Sequence, residues 1–272
     1  ESLPQKYLKG EVIILDKFGA FVVPTIIFII IIVIMAIIGI VALVLNNIFN
    51  SNSLEKPGEE LGYDIFVGDE NMPVTTSEDE GRNLVEELSK VNVTYKDAKA
   101  WLKVPGTTID YPIFQGTDNT RYYREDRDGV TQDWGETFID YRCDVSKLSD
   151  LMTNIIIYGH NTETDNRFTP LLNYKREEFF NNHKYIELAT ADGLKKYEIF
   201  TVYSVEASKF YYIDTEFESL SEYDDFITSL AKKSRYDTGV EVSSADSILT
   251  LSTCDYSIKD GRFVVQARLI KN

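Results

Sequence analysis

A chain of 272 residues with 43% apolar content has enough hydrophobic material for a sizeable folded core, which excludes a disordered protein. Its 44 acidic side chains outnumber 28 basic ones for a formal charge of -16, a field that repels a phosphate backbone and excludes nucleic acid as a partner. A zinc site would consume nearly all of the two cysteines, Cys143 and Cys254, and two histidines, His160 and His183. None stand at the short ligand spacings such sites use, so no metal or cofactor is expected.

Residues 1–17 carry Lys6, Lys9 and Lys17 and precede an uncharged run, FGAFVVPTIIFIIIIVIMAIIGIVALVL, at 18–45. That run exceeds the roughly 20 residues that span a bilayer, and it is too long for the apolar core of a cleaved signal peptide. The reading is a transmembrane helix kept as an anchor. In the twenty residues after Leu45 only Lys56 is basic, so the lysine bias places 1–17 in the cytoplasm and the C-terminal part outside the cell.

Residues 46–76, rich in Asn, Ser, Gly, Pro and acidic side chains without periodicity, read as a linker. The domain at 77–272 opens with Ser77, Glu78 and Glu80 ahead of Leu84, Val85, Leu88 and Val91, whose spacing predicts a short amphipathic helix. After Trp101 the chain turns to β. TFIDY, NIIIYGH, KKYEIFTVYSVE, SILTLSTC and RFVVQARLI are runs of β-branched and aromatic residues between turn signals, and EYDDFITSLAKKS at 222–234 is an inserted helix. The fold class is mainly β, a barrel or sandwich with a few helices.

Chemistry gathers on three residues. Cys254 ends the alternating run ILTLSTC at a strand end, and a turn through Lys259, Asp260 and Gly261 leads to a strand beginning at Arg262. Antiparallel pairing across that turn sets Arg262 beside the thiol. His160 follows the buried-type run Ile155–Ile157 and Gly159, at the mouth of another strand. A thiol with a pKa near about 8.5 is a few per cent thiolate at neutral pH yet strongly nucleophilic. An imidazole can protonate a leaving amine, and an arginine can stabilise an oxyanion, an effect worth about 3–4 kcal/mol for one donor. Each residue has a bland alternative: a core thiol, a turn-capping histidine, a solvated arginine.

The segment Thr250–Cys254, T-L-x-T-C with an arginine on the next strand and an upstream histidine, resembles the sortase signature. WLKVPGTTIDYPIFQGTDNTRYY at 101–123, GETFIDYRCD at 135–144, NIIIYGHN at 154–161 and LSTCDY with GRFVVQARL resemble class B sortase segments in the same order. The resemblance, over roughly residues 77–272, implies an eight-stranded sortase β-barrel with N-terminal helices and an inserted helix, on the surface of a Gram-positive cell. It implies a transpeptidase in which Cys254 attacks a threonine carbonyl in the C-terminal sorting signal of a secreted protein. The resulting thioester is resolved by a peptidoglycan cross-bridge amine. It also assigns substrate contacts to Asn119 in D-N-x-x-Y, to Tyr212 and Ile213 in the loop before residue 222, and to Ser252.

Cys143 departs from the pattern, standing where asparagine is more usual after D-Y-R, and is read as a partly buried free thiol. His183, in FFNNHKY, is read as structural. Three other functions compete. A pilin-polymerising sortase is disfavoured because an Asp-Pro-aromatic lid segment is absent from the sequence. A silent binding domain is disfavoured by the intact trio. A cysteine hydrolase is separated only by a competing amine.

Overall fold

The computed structural model describes residues 82–162, 167–209 and 211–271. The segments read as cytoplasmic, transmembrane and linker, at 1–17, 18–45 and 46–76, lie outside them. Helix α1, Leu84–Thr94, is capped by Asn83, whose Oδ1 accepts from the backbone N–H groups of Val85 and Glu86 at 3.1 and 3.3 Å. Such a cap satisfies amides that a helix start leaves without partners. Leu84 and Leu88 turn inward, as their spacing predicts, and pack with Trp101, Phe114 and Phe138 against the barrel wall.

Eight strands follow among the described residues: β1 Ala98–Lys103, β2 Asp110–Phe114, β3 Phe138–Ile139, β4 Asn154–Tyr158, β5 Tyr185–Thr190, β6 Gly193–Glu206, β7 Ile248–Asp255 and β8 Gly261–Leu269. They close in the order β1-β2-β3-β4-β7-β8-β6-β5, with β5 returning to β1. Closure leaves no exposed sheet edge. Short helices α2 Arg121–Arg124 and α3 Glu177–Asn182 sit in connections, and α4 Leu220–Ala231 lies in the long passage from β6 to β7. Ser219 caps α4 by accepting from the Glu222 amide at 3.2 Å, and Tyr223, Ile227 and Leu230 bury one face.

Alternation divides the strands between two cores. Ile155, Ile157, Leu249, Leu251, Phe263 and Val265 fill the barrel, while Ile248 and Val264 face outward beneath α4. Both faces of β7 are therefore covered, and its residues read as a near-continuous apolar and Thr/Ser run. TFIDY yields only two residues of strand. Asp140 still donates its amide to the Ile156 carbonyl of β4 at 2.9 Å, and the chain turns there as the Cys143 amide donates to the Asp140 carbonyl at 3.0 Å.

Between β4, β7 and β8 runs a buried polar chain. Gln266 Nε2 donates to Thr250 Oγ1 at 2.9 Å, Thr250 donates to Asn154 Oδ1 at 2.7 Å, and Asn154 Nδ2 donates to the carbonyls of Tyr212 and Asp214 at 3.0 and 2.9 Å. Buried polar atoms satisfied in sequence like this fix a loop as firmly as they fix strands. The loop fixed here is the one that carries Tyr212 and Ile213.

At the end of β4, Gly159 is the residue that lets the chain pass Phe168. A Cβ on Gly159 would stand 2.5 Å from the Phe168 ring, which is fully buried. Gly159→Ala is expected to destabilise the domain by about 1–3 kcal/mol through overpacking, read as a lowered midpoint in denaturant titration with unchanged slope.

Candidate active site

The register of β7 places the chemistry. Cys254 and Arg262 are directly opposed partners on β7 and β8. Their side chains thus leave the same face with Cβ atoms about 4.5–5.5 Å apart. Both are half-buried, and Arg262 Nη1 donates to the Gly261 carbonyl at 3.0 Å, a contact that orients the guanidinium without neutralising its charge. Arg262 also lines a cleft of about 490 Å³ with Glu206, Ser208, Lys259 and Asp260, so solvent reaches it from that side.

On the other flank β4 runs parallel to β7, with Tyr158 opposite Ser252 and the Gly159 amide donating to the Ser252 carbonyl at 3.2 Å. His160 and Cys254 each lie two residues beyond that pair, at the same level of adjacent strands. Asn161 ties the two ends together. Its Nδ2 donates to the Cys254 carbonyl at 3.0 Å, and its own carbonyl accepts from the Tyr256 hydroxyl at 3.0 Å.

His160 Nε2 stands 3.0 Å from the carbonyl of Tyr123. A carbonyl only accepts, so in this contact Nε2–H is the donor. The Tyr123 ring packs on the imidazole with centroids 4.8 Å apart, and Arg124 lies 5.1 Å from the centre of the Tyr123 ring. The residue that orients His160 is thus a backbone carbonyl, and Asp255 is not that residue. Asp255 follows Cys254 and points to the opposite face, where its carboxylate accepts from Lys175, Ser204 and Ser257 at 2.8, 2.6 and 2.6 Å. Burial works to raise the Asp255 pKa, and these hydrogen bonds more than offset it, leaving the group below the usual carboxylate value.

Of the residues assigned to substrate, Ser252 shares the Cys254 face, and its Oγ lies 3.1 Å from the hydroxyl of Tyr212. Burial pushes the Tyr212 phenol up, against that hydrogen bond and the nearby Arg262 charge. Tyr212 and Ser252 are 0% and 2% exposed, so they brace the wall beside the thiol from within. Ile213 and Asn119 are half-buried. Asn119 Nδ2 donates to Asp140 Oδ2 at 3.0 Å, and its Oδ1 accepts from the Tyr141 amide at 3.0 Å.

Cys143 is a buried free thiol. It accepts from the Ile156 amide at 3.3 Å and donates to the Asn154 carbonyl at 3.4 Å, and burial pushes its pKa up to about 12. His183 is held structurally, stacked on Phe179 at 4.2 Å with Nδ1 donating to the Phe179 carbonyl at 2.9 Å. Among the described residues no group of three His, Cys, Asp or Glu side chains gathers to hold a metal ion.

A model of the Sortase domain family matches residues 102–270. Sortase B of Staphylococcus aureus is 32% identical over 220 residues, covering 80% of this chain and 87% of the relative. The chain belongs to the sortase family, in class B. It is accordingly a cysteine transpeptidase. Solved class B sortases superpose on it, among them a Staphylococcus aureus sortase B–substrate complex, at TM-score 0.63 and 31% identity over 70% of this chain and 87% of that one. A sortase B complexed with triglycine matches at TM-score 0.63 and 31% identity, covering 71% and 89%. The eight-stranded barrel expected from the sequence is the fold of these relatives. Sequence reasoning passed over Tyr123, Asp140, Arg142 and Asn161; Tyr123 directly follows D-N-x-x-Y, and the other three lie inside the D-Y-R and G-H-N segments.

Two outcomes follow from this electrostatic layout. In the native sortase iodoacetamide labels one thiol, Cys254, and in denaturant it labels two, as mass spectrometry of the intact chain will read, because a thiol with a pKa near 12 offers almost no thiolate. Asp255, depressed in the folded state, adds stability that is fully present above about pH 4 and is lost as pH falls through its folded value. Thermal denaturation across pH 2–6 is expected to show a shallower acid loss in Asp255→Asn than in the unaltered chain, with lower stability of the variant at neutral pH.

Proposed function

We propose that this sortase cleaves a C-terminal sorting signal after threonine and joins the surface protein to a peptidoglycan cross-bridge amine, with Cys254, His160 and Arg262 as its catalytic residues. The observation that carries the reading is the register that opposes Cys254 to Arg262 and brings the end of β4, with His160, to the same level. Relatives solved with a substrate and with triglycine support the two substrates.

The thiolate of Cys254 attacks the threonine carbonyl, and Arg262 stabilises the oxygen that becomes negative. The peptide bond breaks as His160 gives its proton to the leaving amine, and a thioester forms. The cross-bridge amine then attacks the thioester, His160 takes back a proton, an amide forms and the thiolate departs. Asn119 and Ile213 contact the peptide, while Tyr212 and Ser252 shape the wall behind it. The apolar run at 18–45 anchors the enzyme in the cell membrane by a single pass, with 1–17 in the cytoplasm, 46–76 as an extracellular linker and the catalytic domain, 77–272, outside.

The test is a library of quenched peptides carrying sorting-type pentapeptides, given to the full chain in detergent with and without triglycine. Cleavage is expected to yield the amide when triglycine is present and to vanish in Cys254→Ala. Arg262→Ala is expected to lower kcat by about 10²–10³. Cleavage that yields only the acid in the presence of triglycine would instead make the enzyme a hydrolase.

A further inference from the structure

We infer that Asp140 and Arg142 form a positioning pair that holds the segment behind His160 and the segment behind Ser252 and Cys254 at a fixed separation, and thereby sets affinity for the sorting peptide. This rests on the reading of the site given above. Neither residue touches the reacting atoms. Their influence runs through the backbone segments they join.

The Asp140 carboxylate is 0% exposed and has donors on every side. Arg142 donates to it twice from its guanidinium, at 2.9 and 2.8 Å, and once from its amide at 3.0 Å, while Tyr158 and Asn119 each donate to Oδ2 at 3.0 Å. Burial alone would raise the Asp140 pKa, yet these bonds from Arg142 and Asn119 hold it below the usual carboxylate range. The forked Arg–carboxylate contact has a geometry that no other side chain reproduces.

The two arms of this hub lead to two different segments of the chain. Through Asn119 it grips the loop that enters α2, and α2 carries Tyr123, whose carbonyl holds His160. The other arm is Arg142 Nη2, which donates to the Ile213 carbonyl at 3.1 Å, a contact between residues 71 apart in the chain. Ile213 adjoins Tyr212, and Tyr212 is bonded to Ser252 on the Cys254 face. A fully buried carboxylate thus links the two segments that flank the thiol. Tyr158, the third donor, lies on β4 two residues before His160 and so fixes the hub to the barrel.

Arg142→Lys separates positioning from folding. An ammonium still neutralises the buried carboxylate, but it lacks the fork that grips both Asp140 oxygens while reaching Ile213. With the fastest-cleaved library pentapeptide and the full chain in detergent, Arg142→Lys is expected to raise KM at least about fivefold, and Arg142→Ala to raise it further. In both, kcat and the rate of Cys254 alkylation by iodoacetamide stay within about twofold of the unaltered chain. A KM unchanged in Arg142→Lys, or a loss confined to kcat, overturns the positioning role even if Arg142→Ala does not fold. Absence of turnover by the unaltered chain in the same plate overturns the functional reading instead, so the two failures are distinct.

Discussion

The site depends on the hydrogen-bonded register of β7 between two strands of opposite sense. Antiparallel pairing with β8 sets Arg262 across from Cys254, and parallel pairing with β4 sets the end of that strand, and so His160, at the same height. A one-residue slip of β7 would turn Cys254 toward the Asp255 side and expose Leu249 and Leu251 to the wrong face, so the core that enforces the register also enforces the chemistry. Barrel closure makes the slip harder still, because neither neighbour of β7 is a free edge.

That constraint explains the division of labour on β7. Alternation sends Cys254 to the groove and Asp255 to the far side, where Lys175, Ser204 and Ser257 consume its charge. The carboxylate next to Cys254 in sequence therefore faces away from it, into the Lys175–Ser204–Ser257 cluster. The Tyr123 backbone carbonyl, 3.0 Å from His160 Nε2, holds the ring with a neutral acceptor instead of a carboxylate.

The legible part of the molecule was the part written locally. Runs of β-branched residues named the strands β4, β6, β7 and β8, and the short β7–β8 turn alone placed Arg262 beside Cys254. The apolar spacing in α1 gave a helix that buries Leu84 and Leu88, with Val85 and Val91 half-buried, and the helical pattern at 222–234 overlaps α4 at Leu220–Ala231. Residues whose meaning arises at long separation were not legible. Arg142 meets Ile213 across 71 positions, Asn161 meets Cys254 across 93, and Asn154 meets Asp214 across 60. No periodicity encodes such contacts. TFIDY carries strand propensity throughout, yet β3 ends at Ile139 because the chain turns after Asp140, where the Cys143 amide donates to the Asp140 carbonyl at 3.0 Å.

Cys143 shows why two thiols coexist in one enzyme without confusion of roles. It follows directly on the Asp140–Arg142 pair, but its sulfur turns inward to β4, between the Asn154 carbonyl and the Ile156 amide. In that setting burial outweighs the Ile156 hydrogen bond and the Arg142 charge and pushes the Cys143 thiol up, while Cys254 stands half-exposed across from Arg262. Reactivity follows the neighbours, not the residue type. The same inward turn seats the D-Y-R segment, and with it the Asp140–Arg142 pair, against β4.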